Sequence, residues 1–600
     1  MHAKKLFFVS VFCFFISIVS AQEKKDSIYY KIEEFSDKRK STKFIHRLIF
    51  RREADSVSVK SRTEKQAADT YRGKIIRNIR IETTDPFGYQ IADRKKDQKW
   101  YDRLADRIHI DSKKSTIHNY LLFKKGETYN AQKLYESERV LRNTNFVNRV
   151  KISVADSTSS KDSIDILVQV LDSWSLKPRL RFSGKKFGVG AKEENLLGLG
   201  HEVNFLYTDD FKDKQNNILA GYKATNLFGS FIDAEISGEK DFYDNERLTF
   251  SATRDFFSPL TRWAGGFTFE YFMRRVLMPL ENTSDYPEVQ IKVYNQDLWG
   301  GYQFPVFIGQ NAEISRNIAV LGRFQNYQYK DSPLADENGY FSSNTSFLAS
   351  AKFIERKYSV QKDIFQYNLP EDIPYGKSLG FTGGFLNRGT RAVPYAGISA
   401  SLGTFINWGY FTAKAEYGRF FNENKANSDS FRFDGTYFTN LQNLSFGKVR
   451  HFISPTFAWG SQLYNTSYRD RINFVNDSEF PPYSEDYIGT KKLILRYQLQ
   501  LYIDKTWKNF HFSPYSIVAL GWMSQNSEKL FSTKTESKFG IGVLIDNPYL
   551  VFNRIQLSFV FYPKVPFDNK SVFEFNDYRN NMLPLNNFET SRPHFVNFPN

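Results

Sequence analysis

The 600-residue chain sets 82 Lys and Arg against 66 Asp and Glu, a formal charge of +16, and holds one cysteine, Cys13. Aromatic residues make up 17% of it, with 58 Phe and 35 Tyr, yet the mean hydropathy is only -0.50. A disulfide framework and Cys-ligated metals are excluded. So is a membrane helix beyond the N terminus, because no later stretch approaches the roughly 18 consecutive apolar residues a helical span needs. The basic excess comes without helix-turn-helix or zinc-finger spacing, so no nucleic-acid partner is expected; basic loops facing anionic lipid account for it.

The chain opens on Lys4 and Lys5, an apolar run from Leu6 to Val19, and then Val19-Ser20-Ala21. A positive stub, a short apolar run and small residues at the cleavage positions are the layout of a secretory signal over residues 1–21, cut between Ala21 and Gln22. Residues 22–73 are polar and basic. Within them Phe44, Ile45, Leu48 and Ile49 share one face of a short helix among Lys38, Arg39, Lys40, Lys43, Arg47, Arg51 and Arg52, a pattern suited to a solvated linker or to a membrane surface.

Residues 74–172 read as a small α/β module. A strand over Ile75–Ile81 places Ile75, Ile79 and Ile81 on one face. A charged insert after Asp85-Pro86-Phe87-Gly88 carries helix around Trp100–Ile108. Helices follow over Ser115–Phe123 and Asn130–Arg142, split by Lys125-Gly126, the second with Leu134, Ser137, Val140 and Leu141 as its inward stripe. Strands over Val147–Val154 and Ser163–Leu171 close a β-α-α-β-β order.

From Trp174 to residue 600 the pattern turns to period-two alternation. Ile232, Ala234 and Ile236 alternate with Asp233, Glu235 and Ser237; Phe411, Ala413, Ala415 and Tyr417 alternate with Thr412, Lys414, Glu416 and Gly418. Leu493, Leu495, Tyr497, Leu499, Leu501 and Ile503 form the cleanest run, with Arg496, Gln498 and Gln500 on the opposite face. A soluble sandwich also alternates. Strands of about 9 to 14 residues match a tilted membrane crossing, however, and an inner face bearing Glu235, Lys414 and Arg496 suits a hydrated lumen better than a dry core. The fold expected is mainly β: a transmembrane antiparallel barrel preceded by the α/β module. Between 15 and 18 strands can be drawn, depending on how 174–198 and 563–600 are divided.

No catalytic or ligand motif survives inspection. Gly376-Lys377-Ser378 ends like a phosphate loop, but Glu371 stands where its first glycine is required. No G-x-S-x-G elbow occurs, and the histidines show no i, i+4 pairing for a metal. No cofactor, metal or enzymatic activity is expected.

The module's most specific stretch is Leu122-Phe123-Lys124-Lys125-Gly126-Glu127-Thr128-Tyr129-Asn130, followed by Leu134 through Val147 with Arg139, Leu141, Arg142 and Phe146. Val170-Leu171-Asp172-Ser173-Trp174 and Asn195-Leu196-Leu197-Gly198-Leu199-Gly200 come next, and Phe539–Val543 and Arg554–Phe559 near the end. On these residues the module resembles a POTRA domain, and the chain from Ile75 onward resembles the BamA/TamA surface-antigen superfamily. The resemblance implies one periplasmic POTRA domain with Gly126, Leu134, Arg139, Leu141, Arg142 and Phe146 as its motif. It also implies a barrel of about sixteen strands entered through Trp174, Asn195, Gly198 and Gly200, set in the outer membrane of a Gram-negative-type bacterium. Relatives insert barrel proteins into that membrane or move polypeptides across it. The implied partners are outer-membrane lipids, unfolded client polypeptides held by the POTRA domain, and periplasmic chaperones or accessory proteins. The alternatives are a dedicated transporter of two-partner-secretion type and a structural barrel that has lost insertase activity. One departure bears on this: the family's Arg-Gly-aromatic loop tip before a strand like Thr490–Asp504 is replaced here by Asn476–Gly489, which holds no arginine. The chain ends Phe595-Val596-Asn597-Phe598-Pro599-Asn600, leaving Phe598 as the candidate for the aromatic that commonly closes such barrels.

Overall fold

The computed structural model describes residues 71–84, 110–155, 160–183, 186–211, 214–277, 288–306, 315–330, 343–365, 371–388, 391–421, 428–461, 472, 474, 480, 489–505, 511–525, 528–546, 554–563, 572–575, 585 and 587–596. The signal with Ala21 and Gln22, the basic helix of the linker and the helix around Trp100–Ile108 lie outside the described residues.

The module builds one three-stranded sheet. Strand β1 (Ile75–Thr84) runs parallel to β3 (Ser163–Asp172), which pairs antiparallel with β2 (Val147–Val154). Helices α1 (Lys114–Asn119) and α2 (Ala131–Arg142) complete it. The side chain of Asn130 caps α2 by accepting from the Lys133 N–H at 3.1 Å, satisfying a helix-end donor. Alternate residues Ile164, Ile166, Val168 and Val170 of β3 are fully buried, and Leu134, Ser137, Val140 and Leu141 of α2 close over them. Two details differ from the sequence reading. The register of β1 shifts between Ile76 and Asn78, so that Ile76, not Ile75, enters the core; Ile75 is 49% exposed and Ile76 0%. A bulge inserts one residue and flips every side chain before it to the other face. And α1 stops at Asn119, where the Leu122 N–H turns to the Ser137 hydroxyl of α2 at 2.8 Å instead of continuing the helix.

The barrel starts with short strands: β4 (Leu176–Ser183), β5 (Lys186–Leu196), β6 (His201–Asp210), β7 (Gln215–Ala224), β8 (Asp233–Lys240) and β9 (Glu246–Arg254). Longer strands follow: β10 (Trp263–Leu277), β11 (Glu288–Pro305), β12 (Ser315–Lys330), β13 (Asn344–Gln361), β14 (Glu371–Arg388) and β15 (Arg391–Ile406). The circuit ends with β16 (Gly409–Phe420), β17 (Ser428–Thr439), β18 (Gln442–Leu444), β19 (Gly447–Ser461), β20 (Lys491–Ile503), β21 (His511–Ser524), β22 (Glu536–Asp546), β23 (Arg554–Tyr562) and β24 (Val572–Phe575). Successive strands pair antiparallel, except that β17 and β18 both pair with β19, and β24 meets β4, closing the sheet.

Among the described residues the barrel holds twenty-one segments. Because β18 prolongs β17 along the same edge of β19, these make about twenty staves, an even number as single-chain bacterial barrels have. The sixteen implied by the resemblance is therefore too few. Alternation fixes which face a residue takes but not how many strands a stretch contains; residues 176–224 alone hold four. Strand length also exceeds expectation on one side. Strands β10–β15 run to 15–18 residues, and Leu277, Lys330 and Asn344 carry them past the end of β9 on the side away from the module.

The alternation itself is realised on both faces. Phe269, Phe381, Ile398, Leu402, Phe539, Ile541 and Phe559 stand exposed on the outside, the apolar band such a barrel presents to lipid. Lys414, Glu416, Arg496, Gln498 and Gln500 point inward. No described helix is long and apolar enough to cross a membrane.

Candidate functional site: the capped lumen

The turn between β5 and β6 is the seat on which the α/β module rests. Asn195 is fully buried; its amide donates to the Ile110 carbonyl (3.2 Å) and the Ser112 hydroxyl (3.0 Å), and its carbonyl oxygen accepts from the Gly200 N–H (2.8 Å). The Gly198 carbonyl accepts from the Lys113 N–H (3.0 Å) and the Thr116 hydroxyl (2.7 Å). Both glycines adopt left-handed φ, +73° and +72°, and a Cβ on Gly200 would meet the Phe146 ring at 2.7 Å, while one on Gly198 would collide with the Asp111 carbonyl. Only glycine allows both the turn and the close approach. Phe146 thus anchors β2 and covers the barrel turn at once; its ring lies 5.8 Å from that of Tyr120. Burial pushes the Tyr120 hydroxyl up to about 12, so it stays protonated beside Thr225. A second barrel turn, Asn226–Ile232, holds the carbonyl of Asn119 through the Asn226 amide (3.1 Å).

Helix α2 turns a charged face to the barrel mouth. Arg139 pairs with Glu136 at 2.9 Å, donates to the Phe257 carbonyl at 2.6 Å and lies 4.6 Å above the Tyr358 ring. Glu136 also accepts from the Ser258 hydroxyl (3.0 Å). Arg139 and Glu136 are each 3% exposed. Burial opposes the charge on Arg139, but the Glu136 carboxylate outweighs it and holds the guanidinium above its ordinary pKa. Arg142 bridges Glu138 at 2.7 Å and the barrel's Asp372 at 2.6 Å. Of the motif residues, Leu134, Leu141 and Phe146 serve the module core, Gly126 (φ +85°) makes the turn before α2, and Arg139 and Arg142 reach the barrel. Trp174, at the crossing into β4, donates its indole N–H to the Leu176 carbonyl.

Two further segments lie within the lumen. In the stretch between β19 and β20, Ile472 bridges Gly489, and Phe474 and Phe480 sit with Ile494, Tyr515, Ile517, Ala519, Met523, Leu544, Val560 and Tyr562 in one buried cluster. Gly521 leaves the room: a Cβ there would meet Phe480 at 2.8 Å. The described residues between β19 and β20 are therefore anchored through the rings of Phe474 and Phe480.

The second segment is Asn587–Val596. It is not a strand, which corrects the division of residues 563–600 into barrel strands: the described closing strand is β24, and Phe598 lies outside the described residues. Phe588 is buried against Gly403 and Tyr410. Glu589 pairs with Arg356 (3.2 Å), and its carbonyl accepts from Lys352 (2.9 Å). Arg592 pairs with Asp297, which also holds Arg323 at 2.7 Å; Arg323 in turn donates to the Pro593 carbonyl at 3.0 Å. His594 reaches Glu416 at 3.0 Å, and the Phe595 ring packs on Tyr395 and Phe420 at 4.9 and 5.1 Å. The Val596 N–H donates to the Tyr395 hydroxyl (2.8 Å), and its carbonyl accepts from Ser430 (2.5 Å). Sequence reading missed Glu136, Asn226, Asp372 and all of these tail contacts. Pro593 and the loss of alternation over Asn587–Val596 were the available signals.

Comparison with known proteins bears on the module first. Residues 110–171 match the POTRA family model described as surface antigen variable number repeat. No curated protein matches the chain. Among solved structures, CdiB from Escherichia coli is similar at a TM-score of 0.41 and 9% identity, covering 91% of this chain and 97% of that one. BamA from Haemophilus ducreyi lacking POTRA domains 1–3 is similar at 0.33 and 13%, covering 90% and 97%. The siderophore receptor PirA from Pseudomonas aeruginosa stands at 0.35 and 10%, covering 72% and 79%. The matched stretch meets the barrel through Asn195, Gly198 and Gly200. Residues 110–171 are thus a POTRA module of the surface-antigen type, set on a closed antiparallel barrel.

Proposed function

We propose that this protein works in the outer membrane as a non-enzymatic assembly factor that receives unfolded barrel polypeptides and passes them into the bilayer. In this reading residues 1–21 are the export signal, 22–73 a linker, 74–172 a periplasmic POTRA domain and 174–600 the barrel. Of the motif positions, Gly126, Leu134 and Leu141 build that domain, Arg139, Arg142 and Phe146 hold it over the mouth with Asn195, Gly198 and Gly200, and Trp174 marks the crossing into the barrel. The observation that carries the reading is the filled lumen: α2 at the mouth and the two inner segments along the walls favour a client route along strand edges over a route through the pore. Edge strands offer unpaired backbone groups, and an extended client is captured by pairing with them. The outer side of β2 in the POTRA sheet is one such edge, and a client strand there would displace Glu138 from the Ile152 N–H it now accepts (3.0 Å). Client polypeptides, lipids and periplasmic accessory proteins are the partners this reading calls for.

Depletion of the protein, followed by quantification of the outer-membrane proteome, tests it. Several unrelated barrels should fall together; unchanged levels of every other barrel would sink the assembly role. The second reading, a dedicated polypeptide transporter, is favoured by one observation: a polypeptide segment is already seated extended in the lumen. It predicts that a single secreted protein disappears from the medium.

A further inference from the structure

We propose that the lumen wall formed by β11–β17 is a binding site for an extended polypeptide segment, and that residues 585–596 occupy it as a removable plug. The inference stands whether the barrel inserts clients or transports them.

Geometry comes first. Phe588 sits beside Tyr410, at the POTRA-side hairpin of β15 and β16, and Phe595 sits beside Phe420 and Tyr395, at the other end of the same two strands. The seven steps from Phe588 to Phe595 thus climb the length of the wall, roughly 23 Å if extended, comparable to the ~25 Å apolar band of a membrane barrel. A barrel of about twenty staves lies between porins, which leave an aqueous channel, and the larger plugged transporters. Something must fill such a lumen if the membrane is to stay sealed.

The chemistry of the contacts says what the wall recognises. Four wall side chains bind the segment's backbone: Lys352 at the Glu589 carbonyl, Arg323 at the Pro593 carbonyl, and Ser430 and Tyr395 at the carbonyl and N–H of Val596. Backbone recognition of this kind accepts any extended chain. Selectivity is added by Arg356 for an acidic residue, Asp297 for a cation three positions later, Glu416 for a histidine or second cation, and the Tyr395–Phe420 pair for an aromatic ring. The favoured ligand is an extended segment reading acidic, two spacers, basic, proline, basic or histidine, aromatic. The segment's hold is side chain to wall rather than a strand ladder, so it can leave without tearing the sheet.

Conductance in planar bilayers of defined phospholipid decides the matter. The full chain should be closed. A chain ending before residue 585 should open steps about tenfold larger, as expected of an unplugged barrel this wide. A synthetic peptide of residues 585–596 should return the truncated pore to the closed level, and a scrambled peptide should not. A truncated pore that conducts like the full chain, or one the peptide leaves open, overturns the proposal. Should the truncated chain fail to fold, as judged by heat-modifiable migration, full-length Asp297→Arg and Arg592→Asp decide. Each single change should raise open probability and the double swap should restore closure; equal conductance in all three rejects the plug. Cysteines at Ser430 and Val596 give a locked control, since Cys13 is the only other cysteine and lies in the signal. Oxidation should abolish openings seen in the reduced form.

Discussion

The two walls of the lumen hold their occupants by opposite physics. On the β20–β23 side the occupant is a pair of phenylalanines sunk in an apolar cluster, with Gly521 cut back to admit them. On the β11–β17 side it is a chain segment with a ring at each end, Phe588 and Phe595, and between them Asp297, Arg323, Arg356, Glu416 and backbone hydrogen bonds. Burial of rings is strong and insensitive to salt; in the other wall's pairs the buried Asp297, Arg356 and Glu416 face half-exposed Arg592, Glu589 and His594, so the occupant's half of each pair depends on its solvent. One wall is built to keep its occupant and the other to let it go.

Four measurements would break or sharpen that contrast. The largest effect is expected from Phe474→Ala with Phe480→Ala, because each empties a closed apolar site at about 3–5 kcal/mol. The thermal midpoint of the gel-mobility shift should fall sharply, by the same amount at any salt concentration; a salt-dependent loss would contradict the dry wall. Next comes Asp297→Ala. It strands Arg323, whose side chain is 12% exposed, while Arg592, 47% exposed, can turn to water. The cost should lie at or below the roughly 3–5 kcal/mol of a fully buried broken pair, and Asp297→Asn should recover part of it. Third, molar salt, with a Debye length of about 3 Å, should hasten protease cleavage within 585–596 and leave the 472–489 stretch untouched. Equal cleavage of the two at every ionic strength would erase the distinction. The smallest effect is Ser430→Ala, about 1 kcal/mol for a single hydrogen bond to Val596. It should show as faster release of the segment with no change in barrel melting.

The POTRA domain and the barrel differ in how far their residues announced them. In the module, β2, β3 and the buried stripe of α2 follow the pattern of Leu134, Ser137, Val140 and Leu141 directly, because local periodicity and burial agree there. The parity of β1 did not, since a bulge after Ile76 obeys the partner strand rather than its own sequence. The roles of Arg139 and Arg142 divide the same way. Their place in a motif was readable, whereas Phe257, which accepts from Arg139, Ser258, which donates to Glu136 beside it, and Asp372 of β14, which pairs with Arg142, lie in the barrel more than a hundred residues away.

What the residues determined by themselves is the class of object: long period-two runs with Phe and Tyr on one face and Lys, Glu and Arg on the other fold as a barrel with a wet interior, because alternation assigns each side chain to lipid or to lumen. The same local rules specified the small α/β module, while the Asn195–Gly200 turn was marked by resemblance alone and its role as the module's seat came from the tertiary contacts. Only the tertiary structure decided the number of staves, the seat of Phe474 and Phe480, and the course of Asn587–Val596 up the inner wall. Each of these depends on closure of the sheet. A lumen exists only once β24 meets β4, and until then no residue in the chain has an inside to occupy.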